Sequence, residues 1–152
     1  VVLAAGTIGS SRLLLTNSSR MKALSPALGR SLPARAGAAT RIIEGTHDFR
    51  RFAKGTANAG IASGRTPGQC TVYAAVWRRT RMGRALEITA DRFLRHMVRA
   101  LVGALVAVGR ERLSPADVGA ALGPDGRKTS ARYAPPRGLF LWRVEYRRRW
   151  KG

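Results

Sequence analysis

The stretch Leu101-Val-Gly-Ala-Leu-Val-Ala-Val108 constrains this chain more than any other. It is apolar on every side, so a helix that carries it must be enclosed by other structure. It is also the longest apolar run present, far short of the ~20 residues a membrane-spanning helix needs. The chain therefore has to build a core around it, and 152 residues are enough for one domain of ordinary size. The spacing predicts a helix over 91–110. Its apolar stripe is Phe93, Met97, Ala100 and Ala104, and a basic face forms from Arg92, Arg95, His96 and Arg99. Gly103 continues that basic face and lets a backbone or a ligand approach closely.

Charge narrows the function. There are 28 Lys+Arg against 8 Asp+Glu, a formal charge of +20. Such a balance favours a polyanion partner, nucleic acid first. A GC-rich coding sequence also enriches Arg, Ala and Gly, so part of the excess is compositional. One cysteine, Cys70, excludes an intramolecular disulfide framework and a Cys-built zinc site. Two histidines, His47 and His96, are too few for most His-built metal centres. No basic segment followed by an apolar core marks a secretory signal, so the expected location is intracellular. The first residue is Val1 rather than Met, as in a fragment.

Two blocks differ in composition. Residues 1–35 carry five basic residues and no acid, while all eight acids lie between Glu44 and Glu145. The junction 31–40 is small, Pro/Gly-containing and aperiodic, and reads as a linker. The first block reads as a strand over 1–5, a Gly turn over 6–10 and a helix from Ser10 or Ser11 to Asn17. In the second, Thr46 is placed to cap a short helix bearing Phe49 and Phe52. Residues 58–69 form a loop, and 71–80 with 85–89 form a hairpin. Ser114-Pro-Ala-Asp117 starts a helix. A loop over 124–138 precedes the alternating strand 139–146, and 147–152 is a basic tail.

Three segments carry a resemblance: Glu44-Gly-Thr-His-Asp-Phe-Arg-Arg-Phe52, the Ile88–Gly103 stretch containing Phe-Leu-Arg-His-Met-Val-Arg, and Ala134-Pro-Pro-Arg-Gly-Leu-Phe-Leu141. In this order and spacing, residues 40–146 resemble the C-terminal half of the tRNA pseudouridine synthase A family. The resemblance implies an α+β fold, with a mixed, largely antiparallel sheet and helices packed on it. It implies isomerisation of uridine to pseudouridine in the tRNA anticodon stem-loop, in the cytoplasm, without metal or organic cofactor. It implies tRNA as partner, and a homodimer or a missing N-terminal half as protein partner. By position it implies Arg99 and Leu139 as active-site residues. Arg92, Arg95 and His96 share the expected helical face of Arg99 and can follow RNA phosphates, and Phe49 or Phe52 either lies near the base or packs in the core.

A guanidinium beside a catalytic carboxylate keeps it ionised, and an apolar Leu can pack on a uracil ring. The family's catalytic Asp belongs to an Arg-Thr-Asp-Ala-Gly type motif. Here Arg65-Thr-Pro-Gly68 has no Asp, and Asp48 and Asp91 fall where structural acids are expected. The expectation is an isomerase portion inactive alone. The alternative is a non-catalytic RNA-binding module. Residues 1–32 resemble an interior piece of a glucose–methanol–choline type FAD oxidoreductase, too short to make a flavin site. The expected division is therefore 1–35, a flavoprotein-like fragment with linker, and 36–152, the synthase part with its basic tail. Without the resemblance Leu139, Phe93 and Met97 are core residues, and Phe52 stands between core and substrate wall.

Overall fold

The computed structural model describes residues 10–16, 36–54, 66–80, 83–123, 126, 131–137 and 139–145. The expected strand 1–5, the turn after it, most of the loop 58–69 and the basic tail lie outside the described residues. Strand β1 (Ser10–Thr16) leads to a helix α1 over 36–43, then β2 (Gly45–Asp48) and a 3-10 turn (Arg50–Phe52). The hairpin β3 (Gln69–Thr80) and β4 (Gly83–Ala90) follows. Helices α2 (Met97–Gly109) and α3 (Pro115–Ala120) precede the closing strand β5 (Leu139–Glu145). The five strands lie in the order β2-β3-β4-β1-β5, and each pairing is antiparallel. The fold is α+β, and β1-α1-β3-β4-α2-β5 has the split βαβ form.

Alternation builds the buried face of the hairpin. Ala75 faces Ile88 and Trp77 faces Leu86, while Val76 and Arg78 point the other way. A register shift between Val72 and Ala74 keeps Cys70, Val72 and Ala75 all on the buried side. Onto that face α2 lays Met97, Leu101, Leu105 and Val108, each fully enclosed. Burial of this kind contributes about 1.5–3 kcal/mol per large side chain. The apolar run thus sits where its composition requires.

Helix α3 begins as its residues dictate. The Ser114 hydroxyl accepts from the Asp117 N–H, the Asp117 carboxylate accepts from the Ser114 N–H at 2.7 Å, and Pro115 needs no donor there.

Four expectations are corrected. Residues 10–16 are a strand, not a helix: the segment pairs with β4 and β5 on both edges, so sheet ladders take its backbone groups. Residues 36–43 are helical rather than linker, because Ala36, Ala39 and Ile43 bury one side. Thr46 lies in β2 and its hydroxyl bonds that of Thr71 at 2.9 Å, so it caps nothing. The long helix starts at Met97, not Asp91. Asp91 is tied to β3 through both its N–H, given to the Thr71 carbonyl at 3.0 Å, and its carboxylate, which takes the Thr71 N–H at 2.8 Å.

Candidate active site

Because α2 begins at Met97, Arg92, Arg95 and His96 do not share a helical face with Arg99. The crossing 91–96 spends them separately. The Arg92 guanidinium donates twice to the Gln69 carbonyl, at 3.0 and 2.6 Å. Arg95 is exposed, and its carbonyl accepts from the Lys54 N–H at 3.2 Å. His96 closes the crossing in a left-handed conformation, φ 65° and ψ −3°. Such a backbone is uncommon outside Gly, with His among the residues that adopt it.

Arg99, in the first turn of α2, is clasped to the loop 131–137. Its Nε donates to the Ala134 carbonyl at 2.8 Å, and the Ala134 N–H donates back to the Arg99 carbonyl at 2.9 Å. Gly103, one turn on, makes the clasp possible. A Cβ at that position would run into the Arg132 carbonyl oxygen, so the expected close approach is by this loop's backbone. The same loop delivers Leu139, whose N–H donates to the Pro136 carbonyl at 3.3 Å and whose side chain is half-buried against the core. Arg99 and Leu139 are thus joined by one short strap pinned to α2.

His96 lies at the strap's other side. Its ring centroid is 5.9 Å from that of Tyr133, tilted by 43°. Burial first, then the charges of Arg99, Arg95 and Lys54, push the imidazole below its ordinary 6.5. The His96 Nδ1 is enclosed and has no hydrogen-bond partner among the described residues.

Phe52 is not at this site. It is fully buried and packs against Phe49 with ring centroids 6.3 Å apart, so it is a core residue with no surface to offer RNA. The acids are engaged elsewhere. Asp48 accepts from the Arg50 N–H at 2.9 Å and from its Nε at 2.8 Å; Asp91 is bound to Thr71; Glu44 accepts from the Ala75 N–H at 2.9 Å. Among the described residues no carboxylate is hydrogen-bonded to Arg99, whose side chain is given to Ala134. No group of three or more His, Cys, Asp or Glu among them could hold a metal. No described helix is long and apolar enough to cross a membrane. Cys70 is buried, and burial pushes its thiol up to about 11 despite the nearby Arg92 guanidinium.

Lys54 and Tyr133 were not expected at the site. Lys54 follows a motif whose sequence signal is aromatic, and Tyr133 precedes an Ala-Pro-Pro loop with no periodicity. The Ala134 carbonyl leaves no side-chain signal at all.

Residues 39–147 match the family model described as tRNA pseudouridine synthase. The tRNA pseudouridine synthase A of Pelodictyon phaeoclathratiforme is 41% identical over 106 residues, 69% of this chain and 41% of the relative. That of Chlorobium phaeovibrioides is 38% identical over 104 residues, covering 68% and 40%. That of Bacillus velezensis is 37% identical over 108 residues, covering 71% and 41%. The chain spans about two fifths of the length of these curated relatives. With the family model matching well over half of its residues, the chain belongs to the tRNA pseudouridine synthase family.

Proposed function

We propose that this chain supplies the Arg- and Leu-bearing portion of a tRNA pseudouridine synthase, and that the catalytic carboxylate comes from sequence outside these 152 residues. The observation that carries the proposal is the strap. One loop, fixed to α2 by Arg99 and Gly103, leads straight into Leu139. A guanidinium held in this way can orient a carboxylate delivered beside it, and the leucine can cover a uracil ring. No described acid is bonded to Arg99, which leaves it available for such a partner.

tRNA is the proposed substrate, in the cytoplasm, and either a second copy or a polypeptide carrying the Arg-Thr-Asp motif is the proposed protein partner. No cofactor is invoked. Residues 1–32 are proposed to descend from a flavoprotein interior without flavin binding, and 36–152 to form the synthase part, whose sheet is completed by β1 from the first block. The test is tritium release from 5-tritiated uridine in tRNA, since isomerisation replaces the C5–H bond with a glycosidic bond. The chain alone is expected to release none. Adding the relatives' N-terminal portion is expected to restore release. Turnover by the chain alone would overturn the incomplete-enzyme proposal. RNA binding without turnover in any combination would leave a non-catalytic RNA-binding module.

A further inference from the structure

The sheet has a gap that the family-matched stretch does not fill. Strands β4 and β5 both lie within residues 39–147, yet they are not neighbours: β1 runs between them and pairs antiparallel with each. Without β1 the facing edges of β4 and β5 would each carry a row of unpaired N–H and C=O groups, a template for one extended strand. Towards β4 the pairing is regular, from Ser11 opposite Ala90 to Thr16 opposite Ala85. Towards β5 it is flawed. The register shifts between Arg12, opposite Arg143, and Leu13, opposite Leu141, so Trp142 is skipped, and it is 67% exposed. A shift of this kind breaks the ladder locally. Arg12 and Arg143 also stand directly opposite each other, and like charges so placed destabilise a strand pair. Because β1 is the first described element, it can leave its place without unthreading any other.

We propose that the space between β4 and β5 is an exchangeable acceptor site for one antiparallel strand, that β1 holds it as a placeholder, and that a strand of the missing N-terminal portion displaces β1 on assembly. The N-terminal portion as occupant rests on the function proposed above; the exchangeable site does not. The flaws give the incoming strand its chemistry. It pairs with β5 without a skipped residue and sets an acidic or neutral residue opposite Arg143. It carries no proline in the paired stretch, since both of its edges lie in ladders. The first two properties favour it over β1 in the same slot.

Hydrogen exchange tests this in two arms. In the first, the full chain carrying Leu13→Pro is mixed with a synthetic peptide of residues 8–18 in the unsubstituted sequence. A tethered β1 competes at high effective concentration, so the chain used is one whose own β1 is weakened. The peptide is expected to recover the protection of the β5 amides that the substitution costs, and a peptide with Leu13→Pro is not. A peptide with Arg12→Glu is expected to bind up to about fivefold more tightly than the unsubstituted one. No recovery of β5 while the α2 amides remain protected would overturn the exchangeable site. Leu14→Gly weakens β1 without removing a donor, and serves if Leu13→Pro does not fold. In the second arm the unsubstituted chain is mixed with the relatives' N-terminal portion. The amides of residues 10–16 are expected to lose protection on assembly while those of β4 and β5 keep theirs. A complex in which 10–16 stay protected would overturn the displacement, and the proposed function would stand if that complex isomerises uridine. Recovery in the first arm with no complex in the second would leave the acceptor site standing and the proposed function failing. A dimer of the unsubstituted chain that Leu13→Pro abolishes would make a second copy the occupant and overturn the N-terminal portion in that role.

Discussion

Arg99 and Ala134 hold each other twice, side chain to carbonyl at 2.8 Å and amide to carbonyl at 2.9 Å. The pair converts a loop of proline and small residues into a fixed strap. Its removal should be felt in stability as well as function. Arg99→Ala leaves the buried Ala134 carbonyl without its guanidinium donor, at an expected cost of about 1–3 kcal/mol in urea unfolding. In an enzyme reconstituted with the relatives' N-terminal portion, activity should fall far more than tRNA affinity. Arg99→Lys should keep the affinity and not the activity, because an ammonium lacks the planar fork. Equal losses of activity and affinity would make Arg99 a phosphate contact only.

Gly103→Ala should destabilise although alanine favours helix by about 1 kcal/mol. The added methyl meets the Arg132 backbone, which cannot swing away as a side chain would. The expected net cost is about 1–3 kcal/mol, with faster amide exchange at Ala134. A stability equal to or above that of the unsubstituted chain would show that the strap has room to shift.

Leu13→Pro removes a backbone donor from the middle of β1, which pairs with Leu141 on one side and Ile88 on the other. Among the described strands β5 has β1 as its sole neighbour. Hydrogen exchange of the β5 amides should accelerate by roughly tenfold, the equivalent of one ladder bond. Unchanged protection would mean that β5 is held from elsewhere.

Cys70 should resist thiol reagents in the folded chain at mildly alkaline pH and react fully in urea. Burial raises its pKa to about 11, which leaves little thiolate. Rapid labelling under native conditions would show that the β2–β3 edge opens.

Hydrogen bonds from the Ser114 backbone and hydroxyl hold the Asp117 carboxyl below its ordinary 3.8. A depressed pKa stabilises above the unfolded value, and that contribution fades as pH falls through the folded one. Ser114→Ala removes the hydroxyl's share, so the variant should lose less stability on acidification than the parent. Parallel urea-midpoint profiles against pH would contradict this.

Much of the fold could be read from residue types. Ser114-Pro-Ala-Asp117 forms the expected capping box, the 71–89 region forms the hairpin, and the apolar 101–108 run is enclosed. These are local chemistry or unambiguous burial. The errors came where local pattern met tertiary hydrogen bonding. Arg92, Arg95, His96 and Arg99 are spaced as on a helix, yet Asp91 is claimed by Thr71 and His96 turns left-handed. Residues 36–40 looked too small to be structured, and they are helical because Ala36 and Ala39, with Ile43 a turn on, bury one side in the core. At the candidate site, Gly103 was legible as a point of close approach and Arg99 as a residue of interest, which the structure clasps to the strap. The partners of both are backbone carbonyls, which no side-chain pattern announces.

The strand that supports β5 lies outside residues 39–147, the stretch matched to the family. Ladder bonds read length and backbone geometry more than side-chain identity, so a stretch beyond the family's border can serve as an inner strand. That arrangement ties the fate of Leu139 to residues 10–16. A change in the outlying segment would be felt at the site through the β1–β5 ladder, in which Leu15 pairs with Leu139 itself.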